Sequence, residues 1–265
     1  MKTRILTAIP LIAVVVVVLY FRGVVLAATI AAISCVAVFE MAKALKGKNL
    51  NPLVWVCYLY AVACAVFTYL FDLTYALPLL MGFVVIAMSV SLLDSSKFQV
   101  PDALATVGIL VYPVTFLSVL LSLGLKEKGL FYIVMAIGSS VICDTFAYFT
   151  GMLFGKRKLC PEISPHKTIA GAVGGTVMTM ILLPFVTLLF GGDFDLSNML
   201  TWLCIGFICA IFAQFGDLFA SFIKRWCGIK DYGKIFPGHG GVMDRVDSIM
   251  FTSVIIYIFV AAGVI

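Results

Sequence analysis

Charge is scarce in this chain: only 12% of its 265 residues are Asp, Glu, Lys or Arg, whereas 63% are apolar. A water-soluble globule carries about 25% charged residues, so lipid must be the solvent for most of this sequence. It holds only 2 histidines, and its 8 cysteines stand apart with no Cys-x-x-Cys pair. That spacing offers neither a zinc site nor a disulfide framework. Cys35, Cys57, Cys64, Cys143, Cys204 and Cys209 fall inside apolar runs and read as small buried side chains. The apolar runs do not alternate with polar residues, which excludes a membrane β-barrel. No repeat, low-complexity tract or long linker separates them, so little chain is left for a soluble domain.

What remains is a succession of apolar segments long enough to cross a bilayer, which takes about 20 residues in a helix. Backbone groups in hydrocarbon must bond within their own segment, so the runs imply helices. Nine are readable: Ile5–Tyr20, Val24–Leu45, Leu53–Phe71, Thr74–Leu93, Ala103–Gly124, Gly129–Gly155, Thr168–Phe190, Met199–Ile223 and Ser248–Val264. The first is short and follows Lys2 and Arg4 as a signal peptide would, but the next begins almost at once, so it counts as a span or a hairpin arm. The expected fold is all-α: a polytopic membrane protein of about nine transmembrane helices forming one membrane domain, with N-terminal helices over 1–128 and the functional helices and loops over 129–265. Nine spans place the N-terminus and the loops after even-numbered spans on one side. Of the 18 lysines and arginines, all but Arg22, Lys126 and Lys128 lie on that side. Basic loops stay cytoplasmic, so the N-terminus is expected inside. The net charge of +5 follows from this one-sided surface and does not call for nucleic acid.

Ionisable residues within or beside spans are costly, and they tend to mark sites. In the sixth segment Asp144, Tyr148 and Gly151 stand at i, i+4 and i+7, on one helix face. In the eighth, Asp217, Ser221 and Lys224 repeat that spacing, with Arg225 beside Lys224. Asp244 and Asp247, with Arg245 between them, open the ninth. Each acid could simply pair with a neighbouring base and anchor a helix end. Four carboxylates near one leaflet also suit a shared role, because hard oxygen ligands hold Mg²⁺. The surplus of lysine and arginine beside them points to an anionic ligand, and phosphate fits. Glu40, three residues before Lys43, reads most simply as a helix-end ion pair, with a site role as the lesser alternative. Pro237-Gly238-His239-Gly240-Gly241 allows a close approach of backbone N–H groups to an anion. Gly151-x-x-x-Gly155-Lys156 is not a P-loop, having too few intervening residues and no following Ser or Thr. Gly171-x-x-Gly174-Gly175 reads as close helix packing.

The stretch from Ser221 through Lys224-Arg225, Lys230-Asp231, Gly233, Pro237-Gly238-His239-Gly240-Gly241 and Asp244-Arg245-Val-Asp247 closely resembles the signature of bacterial phosphatidate cytidylyltransferases. An upstream block is similar to a second motif of that family: Asp144, Ala147-Tyr148, Gly151, Phe154-Gly155-Lys156-Arg157, Leu159, Pro161 and Ser164-Pro165-His166-Lys167-Thr168. Gly216-Asp217-Leu218 resembles the lead-in to the signature. The likeness covers residues 140–250; the N-terminal half agrees in hydropathy, length and the Phe39-Glu40 pair. It implies an all-helical membrane enzyme, usually dimeric, with a polar cavity open to cytoplasm and lipid, that makes CDP-diacylglycerol from CTP and phosphatidic acid in the cell membrane. Asp144, Asp217, Asp244 and Asp247 are then expected to bind Mg²⁺, with Lys224 and Arg245 beside them at the reaction centre. Ser221, Arg225, Lys230 and Asp231 are expected to meet substrate, and Gly238, His239, Gly240 and Gly241 to shape the nucleotide pocket. Lys156, Arg157, Ser164, Lys167 and Tyr148 complete the substrate-binding set. Two departures stand out: the family commonly has Glu or Gln where Ala170 stands, and Glu where Ala220 stands; Tyr232 replaces a more usual Ser. A cation-coupled transporter and a catalytically silent relative are the competing readings. The first is disfavoured by the lack of a repeat and by acids gathered at one face.

Overall fold

An apolar chain must satisfy its backbone within each segment, and in the computed structural model nearly every segment does so as a helix. The structure describes residues 14–190, 198–235 and 240–265. Residues 14–21 are helical; the beginning of the expected first span lies outside the described residues, as do Gly238 and His239. Seven helices among the described residues are long and apolar enough to cross a membrane. An all-α, polytopic membrane protein is therefore the fold, with the count of nine left as an expectation. The last helix (Met243–Ala261) falls outside the seven because Asp244, Arg245 and Asp247 crowd its start.

The chain divides into two compact units. The first holds Met1–Glu127 together with Trp226–Arg245; the second holds Lys128–Arg225 and Val246–Ile265.

In the first unit α1 (Gly23–Lys46), α2 (Val54–Phe71) and α3 (Ala76–Leu93) are followed by α4 (Val100–Ile109), a π-helical turn (Leu110–Thr115) and α5 (Phe116–Leu125). The α4–α5 run acts as one span of 26 residues. Its irregularity has a cause: Pro113 lacks an N–H and cannot continue the ladder. Thr115 repairs the gap, its hydroxyl donating to the Leu110 carbonyl at 2.9 Å and sharing a 2.8 Å hydrogen bond with the Tyr60 hydroxyl of α2. Ala37 and Val38 of α1, Val56 and Tyr60 of α2, and Leu117 and Leu121 of α5 are all buried. Asp102, in the first turn of α4, accepts from the Gln99 N–H at 2.9 Å and the Asn51 N–H at 2.6 Å, so it closes a capping box and ties down the α1–α2 loop.

The second unit begins with α6 (Gly129–Phe154). A short antiparallel hairpin follows, β1 (Lys158–Cys160) and β2 (Ser164–Thr168), and then α7 (Ile169–Leu189). The segment Met199–Trp226 forms α8, and Met243–Ala261 forms α9. Both helices run further into the charged stretches than hydropathy indicates: α8 continues past Ile223, and α9 begins before Ser248. The hairpin is a feature that apolar periodicity does not announce. Glycines set the helix spacing. A Cβ on Gly171 would stand 2.6 Å from the Ala147 carbonyl, and one on Gly175 would stand 2.7 Å from the Cys143 carbonyl, so α6 and α7 pack backbone to backbone. The Gly171/Gly174/Gly175 cluster is thus the packing seam its spacing indicates. Gly216 of α8 performs the same service against α9, where a Cβ would lie 2.6 Å from the Asp247 carbonyl.

Candidate active site

In the second unit, motif residues of α6, the hairpin, α7 and α8 surround a cavity of about 460 Å³. Its wall includes Asp144 and Tyr148 from α6, Lys158, His166 and Lys167 from the hairpin, and Gln214 and Asp217 from α8. The hairpin is held by Thr168, whose hydroxyl caps α7 by accepting the Gly171 N–H at 3.1 Å. Gly151 and Gly155 leave space for that threonine; a Cβ on Gly151 would come within 2.9 Å of its Oγ1. From the other side the Arg225 Nε donates to the Ile163 carbonyl at 3.2 Å. Arg225 is therefore tied to the hairpin backbone, whatever else it meets.

With the hairpin fixed, Lys167 reaches across the cavity and pairs with Asp217 Oδ2 at 2.6 Å. Both side chains are only partly exposed, at 25% and 29%, so the pair is less screened than a surface one. Ser221, one turn along α8, donates to Asp217 Oδ1 at 3.3 Å. Asp247 is buried, accepts the Ser248 N–H at 2.8 Å, and lies within electrostatic reach of Asp217, Lys224 and Asp144. Lys224 is buried as well. The second unit therefore brings Asp144, Asp217, Asp247, Lys167, Lys224, Ser221 and Tyr148 into one electrostatic neighbourhood. Lys156 and Arg157 stand in the turn before β1, and Lys158 takes the wall position instead. Ser164 is half-buried in β2 and away from the wall.

In the first unit a different set of acids is at work. Asp244 Oδ2 accepts the Tyr232 and Gly241 N–H groups, each at 2.9 Å. Glu40, in α1, accepts the Val242 N–H at 3.1 Å and the Met243 N–H at 2.9 Å. Lys43 still attracts Glu40 electrostatically, but the hydrogen bonds of its carboxylate go to the backbone at the start of α9. Lys230 and Asp231 precede this turn and Arg245 follows it, and Gly240 has φ +86°, a conformation suited to glycine.

The sequence pattern gave no site role to Lys158 or Gln214, and none to His166 beyond its place in a motif. The Gln214 Nε2 donates to Thr176 Oγ1 at 2.9 Å and to the Ala172 carbonyl at 3.2 Å, fixing α8 on α7 beside the cavity. A polar side chain aimed inward in mid-span is itself a signal, and Gln214 stands only three residues before Asp217. Nothing local marks the hydrogen-bond partners of Glu40, which lie 202 and 203 residues away.

The fold and the cavity define an all-α, polytopic membrane protein with carboxylates and lysines gathered in its second unit. The chain belongs to the cytidylyltransferase family, which it matches over residues 2–262. A phosphatidate cytidylyltransferase of Staphylococcus haemolyticus (strain JCSC1435) is 41% identical over 166 residues, 63% of this chain and 62% of the relative. The protein of that name from Staphylococcus aureus (strain COL) is 39% identical over 168 residues, covering 63% and 62%. The one from Thermotoga maritima (strain ATCC 43589 / DSM 3109 / JCM 10099 / NBRC 100826 / MSB8) is 32% identical over 208 residues, 76% of each chain. This chain spans less than two thirds of the staphylococcal relatives' length.

Proposed function

We propose that this protein transfers the CMP portion of CTP to phosphatidic acid, leaving CDP-diacylglycerol in the membrane and releasing pyrophosphate. A phosphate oxygen of phosphatidic acid forms a bond to the α-phosphorus of CTP while the bond from that phosphorus to the bridging oxygen breaks, and its electron pair leaves with pyrophosphate. The nucleophile is already an anion, so no strong base is required. The barrier lies in bringing two anions together and in stabilising charge on the leaving group.

The observation that carries this reading is the Lys167–Asp217 pair on the wall of a cavity that gathers charged side chains among apolar, membrane-length helices. A phosphate can take over Lys167 and leave Asp217 for a cation. Lys158, His166 and Lys167 offer positive or hydrogen-bonding groups to phosphate oxygens, and Ser221 holds the Asp217 carboxylate in place. For the Gly240–Gly241 turn of the first unit, with Lys230, Asp231 and Arg245 near it in sequence, a role in binding nucleotide rests on the motif alone.

Among the described residues no three His, Cys, Asp or Glu side chains are grouped closely enough to hold a metal alone. Mg²⁺ does not need such a cage: it commonly keeps waters and binds one or two carboxylates plus substrate phosphates. Asp217 and Asp247, with Asp144 nearby, fit an ion that arrives with the triphosphate. Asp244, in the other unit, joins the proposed set through the motif it shares with Asp247. When bound, Mg²⁺ would neutralise charge on the triphosphate and the departing pyrophosphate. The basic asymmetry of the loops supports a site on the cytoplasmic side of the cell membrane with the N-terminus inside. The family likeness supports a homodimer.

Purified protein in lipid, given labelled CTP, phosphatidic acid and Mg²⁺, tests the reading. The expected result is lipid-dependent pyrophosphate release that Asp244→Asn abolishes while folded protein persists in the membrane. Wild-type turnover in that variant removes Asp244 from the metal set; ion flux without pyrophosphate release would replace the reaction by transport. Neither activity would leave a silent relative.

A further inference from the structure

Glu40 is a carboxylate in the interior of a membrane protein, 1% exposed in α1. Burying such a group is costly unless hydrogen bonds replace its water. The replacement is specific. One carboxylate oxygen takes the Val242 N–H and the other takes the Met243 N–H, donors at the start of α9 that have no partner within the helix. A negative group at that end also meets the favourable pole of the helix dipole. Space for it is made by two glycines, since a Cβ on Gly233 or on Gly241 would collide with the Glu40 carboxylate.

The same turn is gripped from its other side. Asp244 takes the Gly241 and Tyr232 N–H groups, and a Cβ on Gly240 would lie 2.8 Å from Asp244 Oδ2. Glu40 and Asp244 thus divide the amides of Tyr232, Gly241, Val242 and Met243 between them. Glu40 holds the turn to α1, and Asp244 holds it to Tyr232.

We infer that Glu40 is a positioning residue for the reaction: it locks the Gly240–Met243 turn onto α1 and thereby sets where the Asp244 carboxylate points. The inference rests on the reading of Asp244 as a site residue. Glu40 itself touches no reacting atom.

The test uses the full-length protein in lipid nanodiscs with Glu40→Gln and Glu40→Asp. The amide variant puts an NH2 group against a backbone donor; the shorter acid keeps the charge. Hydrogen exchange of the segment 240–244 should speed up by about tenfold or more in Glu40→Gln, with α2 exchange unchanged. The turnover number should fall about 10–100-fold while KM for phosphatidic acid stays within about twofold, and Glu40→Asp should recover part of the loss. Unchanged exchange overturns the clamp. Faster exchange with full turnover overturns the positioning role. A wild type that makes no CDP-diacylglycerol removes the reaction instead, and the exchange measurement then judges the clamp alone. Should Glu40→Gln fail to accumulate, Gly241→Ala presses on the same carboxylate from the opposite side and is read by the same two measurements.

Discussion

Two sets of motif acids, one in each unit, are held in different ways. In the first, Glu40 and Asp244 accept backbone N–H groups, donors whose place is fixed by the chain itself. In the second, Asp217 is met by side chains: Lys167, which lines the cavity beside it, and the buried Ser221. Carboxylates bound to backbone make a frame. A carboxylate paired with a side chain can exchange that partner for a ligand. Under the proposed reaction, the larger loss on substitution is expected at Asp217 and the smaller at Glu40.

The largest effect is expected from Asp217→Asn. It keeps the shape but removes the charge that faces Lys167, and transfer should fall by about 10³-fold or more, as for lost electrostatic stabilisation at a reaction centre. The measurement is CDP-diacylglycerol formed per folded protein; a loss below about tenfold would place Asp217 in the frame instead. Next comes Lys167→Met, which leaves Asp217 without its 2.6 Å cation. If the pair is exchangeable, this variant binds Mn²⁺ in the absence of nucleotide more tightly than wild type, by about tenfold, while KM for phosphatidic acid rises about 10–100-fold. Equal Mn²⁺ affinity, read by electron paramagnetic resonance, would mean that Lys167 does not guard the acid.

A smaller effect tests the packing beneath the cavity. In Gly175→Ala the new methyl meets the Cys143 carbonyl and the Ala147 methyl, so α6 and α7 must part. Overpacking of this kind costs about 1–3 kcal/mol. The variant should unfold at lower temperature in detergent, and weaken transfer only as far as the cavity wall shifts with the helices. An unchanged melting temperature would show the seam to be looser than its glycines suggest.

The split between frame and site also explains how far the sequence could be read. Helices, their number within a few, and the glycine seam were legible because lipid imposes one rule on every apolar run. Asp144, Tyr148 and Asp217 were legible because helical spacing places them on a face, and the structure puts all three on one cavity wall. The hairpin was not, since five residues such as Ser164–Thr168 carry no periodicity that distinguishes strand from loop. Lys158 went unmarked with it. Glu40 was legible only in part, because a local ion pair is what three-residue spacing suggests, whereas its hydrogen-bond partners come from the far end of the chain. Hydropathy ends the eighth segment at Ile223, whereas the spacing of Asp217, Ser221 and Lys224 carries the helix further, as hydrogen bonding does to Trp226.

The smallest effect is expected away from either set of acids, at Asp72 between α2 and α3. Its burial alone would raise the carboxyl's pKa, but hydrogen bonds from Ser122 and Lys126 outweigh that and hold it below the usual aspartate range. The Lys126 Nζ stands 2.9 Å from Asp72 Oδ2. An acid with a depressed native pKa adds stability above its unfolded value of about 3.9, and that contribution is lost as pH falls through the lower native value. Asp72 is 42% exposed, so solvent screens the pair and the contribution is about 1 kcal/mol or less. Asp72→Asn should therefore lower the melting temperature slightly at pH 7, and the gap from wild type should close on acidification below pH of about 4. Transfer activity should be untouched. A gap that widens toward low pH would reverse the sign of the linkage, and a loss of transfer would extend the functional frame to the opposite end of the first unit.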